Sequence, residues 1–264
     1  MTADAKRGPN AADIEGAIAS VEATLDLLDP SVREWGREYF IKHRARYASD
    51  LSMIGTLHIG GTILEVGSMP CHLTACLASL GYPVVGLDVD PSRAERFISH
   101  HGLTVRSCNV ETERIPEEDG AFTFVLFNEI FEHLRIDPIF TLQEVARVIA
   151  PGGRLMLTTP NLYSATNLLR MRRRMGVNDI YEEYAKLRTI GHMGHVREYA
   201  PKEVVEFLAH FGFETRRVEY RTYRRRRGRG FKARVLNAGL GAASRAVPSL
   251  RAYQIVIAER VASS

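Results

Sequence analysis

Apolar positions in the first 56 residues recur every three or four places. Ile14, Ile18, Val21, Leu25 and Leu28 fall on one helical face. Asp29-Pro30-Ser31 then interrupts the pattern, and Ser31 with Glu34 three residues on reads as the N-cap and capping box of a second helix. That helix carries Trp35, Tyr39, Phe40 and Tyr47 on a basic background, and the pair is expected to form a cap.

From Gly60 the pattern changes. Short apolar runs at 62–66, 82–87, 104–110, 122–127 and 154–159 predict strands, separated by helical stretches at 73–80, 91–100 and 139–149. A polar, basic segment at 161–198 interrupts the alternation. A helix over 200–210 ends at Gly212, a sixth strand spans 213–220, and a seventh spans 252–258. Near-continuous apolar strands alternating with helices predict an α/β fold: a seven-stranded, mostly parallel sheet with helices on both faces and an N-terminal helical cap. The expected division is a cap at 1–58 and a main domain at 59–264, with inserts at 161–198 and 222–251.

Composition changes this picture at a few points. The 264 residues are 45% hydrophobic and 25% charged, ordinary for a globular chain. No apolar run reaches about 18 residues, and Met1 to Asn10 lacks the apolar core of a secretory signal. Three sparse cysteines, Cys71, Cys76 and Cys108, read as free thiols, so a cytoplasmic location is expected. The net charge of +4 is uneven: Glu214 to Arg234 holds nine Arg and one Lys against two Glu, leaving the remainder net acidic. Such a patch suits an anionic partner or a peripheral contact with a membrane surface, above all through Arg224, Arg225, Arg226 and Arg227. No stacking motif accompanies the arginines, which argues against nucleic acid.

Candidate chemistry begins where the first strand ends, at Leu64-Glu65-Val66-Gly67. A glycine there lets the backbone turn sharply and approach a ligand. The second strand ends in Gly86-Leu87-Asp88, and a carboxylate at that tip can accept hydrogen bonds from both hydroxyls of a ribose. Phe122 to Leu134 and Glu144 to Gly153 follow in order. Together these four segments resemble the class I S-adenosylmethionine (SAM)-dependent methyltransferases, in particular the branch with small-molecule and sugar O-methyltransferases. The resemblance covers about 62–213 and the last strand.

It implies a Rossmann-like fold, SAM as cofactor and S-adenosylhomocysteine as product. It also implies that Glu65 sits near the methionine amino group and that Gly67, Ser68 and Met69 line the methionine and ribose. Asp88 would hold the ribose hydroxyls, with Val89 beside it; Asn109 and Val110 would flank the adenine, and Asn128 would lie by the methionyl end. The chain departs from the pattern at Met69 and Cys71, where the family has its second and third loop glycines. Asn109 replaces an acidic residue and Thr123 an Asp.

Transfer to a hydroxyl needs a proton acceptor. The segment Gly191 to Tyr199 is similar to one that covers the acceptor pocket in related polysaccharide and quinone methyltransferases. His195 is the leading base, with His192, Arg197 and Tyr199 as substrate contacts; equally, His195 and Arg197 would anchor the loop to the helix starting at Pro201. Glu129 and His133, four apart on an expected helix, are further catalytic candidates. No tight metal-ligand spacing is present, so no metal set is assigned, although His192 and His195 with a nearby carboxylate leave a divalent ion open.

The expected acceptor is a sugar, glycan or other polar hydroxyl metabolite, with a phenolic or quinone small molecule as the alternative. A nicotinamide dehydrogenase would need glycines where Met69 and His72 stand. A non-catalytic SAM-fold protein binding an anionic partner is the third reading. Segment 231–250 reads as a core-packing, dimer or membrane-surface helix, so a homo-oligomer stays open.

Overall fold

The computed structural model describes residues 8–189, 194–223 and 230–261. Its elements run α1 (Ala11–Glu22), α2 (Pro30–Leu57), β1 (Ile63–Val66), α3 (His72–Ser79), β2 (Val84–Asp88), α4 (Glu95–His100), β3 (Thr104–Ser107), β4 (Phe122–Asn128), α5 (Pro138–Val148), β5 (Ile149–Pro160), α6 (Ala165–Arg172), α7 (Ile180–Thr189), α8 (Pro201–Ala209), β6 (Phe213–Arg221), α9 (Phe231–Ala246) and β7 (Tyr253–Arg260). The strands form one seven-stranded sheet in the order β3-β2-β1-β4-β5-β7-β6. Two compact units make up the chain: Met1–Leu126 with Arg147–Arg154, and Phe127–Ala146 with Leu155–Ser264.

In the first unit, β1 pairs in parallel with β2 on one side and β4 on the other, and β2 pairs in parallel with β3. All four β1 residues are buried, as strands covered on both faces require. The helices α1 and α2 pack on each other and on α3. Ile14, Ile18, Val21 and Leu28 are buried, as their periodicity predicts. The second helix starts one step earlier than the capping-box reading has it. Asp29 is the N-cap, accepting from the Ser31 N–H at 2.9 Å, and Pro30 fills the first turn, where its missing N–H costs nothing. The third strand stops at Ser107, because the next N–H groups turn away: Cys108 donates to the Asp88 carbonyl and Asn109 to the Glu113 carboxylate.

In the second unit, β6 runs antiparallel to β7, from Phe213 opposite Arg260 to Arg221 opposite Tyr253. α8 packs on both strands, and α9 packs on α6. Gly212 takes φ +77 between α8 and β6, the left-handed residue that ends a helix. The interrupted segment 161–198 contains α6 and α7.

Candidate functional site

Beyond β1 the chain turns on Gly67 at φ +71. The N–H groups of Gly67 and Ser68 both donate to the Leu87 carbonyl on β2, at 2.7 and 3.0 Å, so the loop is pinned to the second strand. Cys71 then takes φ +65 at the N-cap of α3. This accounts for one departure from the glycine pattern: position 71 has a glycine-like backbone yet carries a cysteine, at a cost of about 1–2 kcal/mol. Met69 has no positive φ, so its position does not require glycine.

Asp88 ends β2 half-buried. Its Oδ2 accepts from the Met69 N–H at 2.9 Å and its Oδ1 from the Asp90 N–H at 3.4 Å. Burial pushes its carboxyl above the usual range, against the pull of these donors. The carboxylate thus faces the turn after β1, where the expected nucleoside site lies. Gly86 is small for a local reason, since a Cβ there would meet Ser68 Oγ at 2.9 Å. Val89 is 62% exposed, an open apolar surface of the kind an adenine ring covers. Asn109 closes a turn on itself, its Oδ1 accepting from the Glu111 N–H at 3.1 Å, which spends one of its two lone-pair directions. Val110 follows, half-buried.

Glu65 is buried in β1 and accepts from Thr74 Oγ1 on α3. Burial pushes its carboxyl up to about 8, with Arg46 opposing and Asp50 and Asp88 reinforcing the shift. Arg46 and Asp50 both lie on α2, so this helix reaches the carboxyl electrostatically.

At the end of β4, both the Nδ2 and Oδ1 of Asn128 are buried with no hydrogen-bond partner among the described residues, as is Ser68 Oγ. A buried amide without partners costs roughly 1–3 kcal/mol. Such groups suit a polar ligand, and a methionyl end with its amino and carboxylate groups supplies both donors and acceptors.

The helix expected to join Glu129 and His133 does not form. Glu129 takes φ +57, its N–H donates to the Thr158 carbonyl at 2.9 Å, and only a short 3-10 turn, Phe131–His133, follows. A left-handed residue breaks the four-residue helical repeat, so these two side chains do not share a helix face.

The turn assembles a different set. Single ligand atoms of Glu132, His133 and His195 lie within 4.8 Å of one another. Glu132 is buried and its Oε2 accepts from Thr159 Oγ1 at 2.9 Å. Its carbonyl accepts from the Val196 N–H at 2.8 Å, which ties the turn to the chain at 196. His133 Nδ1 donates to the Gly194 carbonyl at 3.0 Å. Since a carbonyl only accepts, that nitrogen carries a proton. His195 Nε2 lies 4.0 Å from Glu132 Oε1, and its Nδ1 lies 3.8 Å from Glu198 Oε1. Its backbone N–H is held by Glu183 at 2.9 Å. Glu132 escaped the sequence reading because its histidine partner is 63 residues away; the adjacent Glu-His doublet was the available signal. Two imidazoles and a carboxylate with this second layer of hydrogen bonds also suit a divalent cation.

Arg197 lies near the start of α8. It pairs with Glu203, whose other oxygen accepts from the Ala200 N–H at 2.8 Å, and its guanidinium lies 4.9 Å from the Tyr199 ring centroid. Tyr199 stacks on Phe131 at 4.3 Å. Both rings line a cavity of about 400 Å³ with Ile139, Phe207, Arg197, Glu203 and others. His192 and Arg224 to Arg227 lie outside the described residues.

A methyltransferase-domain family profile matches residues 35–218. The chain belongs to that family. Its cofactor is SAM, and the turn after β1 with the Asp88 tip fits such a ligand. The chain is 29% identical to the human mitochondrial ubiquinone biosynthesis O-methyltransferase over 157 residues, covering 56% of this chain and 40% of that one. The Xanthomonas oryzae ubiquinone biosynthesis O-methyltransferase is 32% identical over 108 residues, 39% of this chain and 44% of its own. An uncharacterized methyltransferase of Bacillus subtilis is 31% identical over 97 residues, 36% and 41%. The chain therefore spans about two-fifths of the curated relatives it matches. Among solved structures, a SAM-dependent methyltransferase from Thermotoga maritima aligns with TM-score 0.58 at 17% identity, over 87% of this chain and 95% of that one. One from Archaeoglobus fulgidus aligns with TM-score 0.57 at 14% identity, over 84% and 99%. These likenesses are of fold.

Proposed function

We propose that this methyltransferase-family chain moves the SAM methyl group to a hydroxyl oxygen. The observation that carries this reading is the gathering of Glu132, His133 and His195. Attack by an oxygen on the sulfonium carbon is an in-line displacement: an O–C bond forms, the S–C bond breaks, and the hydroxyl proton must leave. His195 takes that proton, and the buried Glu132 carboxylate at 4.0 Å steadies the imidazolium that results. His133, fixed through Nδ1, presents its Nε2 to the same small region. Glu65, Gly67, Ser68, Met69, Asp88, Val89, Asn109, Val110 and Asn128 hold the cofactor in this reading.

The acceptor we favour is an aromatic hydroxyl of the phenol or quinol class. Two supports converge: the stacked Phe131 and Tyr199 rings lining a cavity, and partial similarity to ubiquinone biosynthesis O-methyltransferases. The sugar or polysaccharide acceptor expected from the sequence lacks support of either kind. The test is methyl transfer from labelled SAM to a matched panel of phenols and saccharides. Transfer to saccharides alone would overturn the acceptor class, and full turnover in His195→Ala would remove its role as base.

The same three side chains favour a second reading, in which a divalent cation bound by Glu132, His133 and His195 orients the hydroxyl and lowers its pKa. Turnover that is lost on chelation and restored by magnesium or zinc, with SAM affinity unchanged, would select it.

A further inference from the structure

Helix α9 follows β6 and precedes β7 along the chain, and it shows two unlike faces. Asn237, Leu240, Ala243 and Ser244 are half-buried on its inner side, where Ser244 Oγ donates to the Leu240 and Leu250 carbonyls. Phe231, Val235, Ala238 and Ala242 recur at helical spacing on the other side and are all exposed. Phe231 is 81% and Val235 56% exposed. An apolar stripe turned to solvent is the reverse of the usual arrangement and marks a surface that meets something.

The charges beside the stripe are of one sign. Arg234 and Arg245 flank it, and the described residues from Gly230 to Ala258 contain no Asp or Glu. The neighbouring α6 continues the theme, with Arg170 and Arg172 and no carboxylate.

We propose that the outer face of α9 docks on an anionic lipid bilayer, with Phe231 and Val235 entering the headgroup layer and Arg234 and Arg245 meeting lipid phosphates. This goes beyond the methyl-transfer reading and is independent of it. Charge decides against a second copy of the chain, since two such faces meeting about a two-fold axis would set arginine against arginine. Apolar content decides against nucleic acid, because Val235, Ala238 and Ala242 gain nothing from a phosphate backbone, whereas an interfacial helix pairs a basic flank with an apolar face.

The experiment is co-sedimentation of the full chain with phosphatidylcholine vesicles, with and without phosphatidylglycerol, at low and high salt. Binding should require phosphatidylglycerol and weaken with salt. The double variant F231S/V235S, with both sites exposed and its melting temperature checked, should bind at least about tenfold more weakly. A double variant that binds like the unaltered chain would overturn the proposal, since the arginines alone would then explain the attraction. So would tighter binding to RNA or DNA than to vesicles. Methyl transfer to a water-soluble acceptor should be unaffected by the double variant, which separates this test from that of the catalytic reading.

Discussion

The Met69 backbone N–H donates to Oδ2 of Asp88 across 2.9 Å, linking the turn after β1 to the tip of β2. The two halves of the nucleoside site are therefore one hydrogen-bonded piece, and the residue that displaces a family glycine is itself a donor to the carboxylate. Asp88→Asn keeps the shape but loses the charge that ribose hydroxyls bond to. SAM affinity should fall about 10- to 100-fold, the size of a lost charge-assisted hydrogen bond. Calorimetric titration checks this, and an unchanged Kd would displace Asp88 from the site.

Asn128 gives an opposite pair of effects. Its amide is buried without hydrogen bonds, so Asn128→Leu should leave the unliganded protein as stable or about 1 kcal/mol more stable. The same change should weaken SAM binding by about tenfold or more. Urea melts and titrations are both needed, and a variant that is destabilised yet binds SAM normally would show the amide to be structural.

Glu65 predicts a pH dependence. Its folded pKa of about 8 lies above the ordinary 4.5, so the folded state binds the extra proton between those values. Its contribution to stability is therefore fully present below about pH 4.5 and is lost as pH rises through about 8. Glu65→Gln, which still accepts from Thr74, should flatten that decline by a few kcal/mol. Melts at pH 5.5 and 8 measure it; parallel losses in both proteins would contradict the assignment.

Glu132→Gln separates chemistry from cofactor binding. SAM affinity should persist while turnover drops about 10²- to 10⁴-fold, the usual scale for removing acid–base assistance. Single-turnover methyl transfer beside a SAM titration reads both quantities, and equal loss in each would place Glu132 with the cofactor instead.

The strands β1, β4, β5 and β7 were legible because buried strands are written as apolar runs, and Gly67 and Asp88 because a turn and a carboxylate at strand tips have local signatures. Glu129 and His133 misled because spacing of four implies a shared face only on a helix, and the left-handed Glu129 prevents one. Glu132 stayed hidden because its meaning comes from His195, which only the return of the chain through Gly194 and Val196 brings near. Ser31 and Asp29 are both good caps, and the proline between them favours the earlier position.

Arg221 stands opposite Tyr253 at the last rung of an antiparallel ladder, and Asn161 holds the returning chain through the carbonyls of Ser249, Arg251 and Ala252. Such a ladder needs only a tight turn to join its ends. Replacing 223–247 by a short Gly-Ser linker, which keeps Ser249, Arg251 and Ala252 bonded to Asn161, should preserve SAM affinity and abolish vesicle binding, which titration and sedimentation of one shortened chain would reveal. The hairpin's end and the buried Asn161 thus form the seam at which α9 and its flanks join their unit.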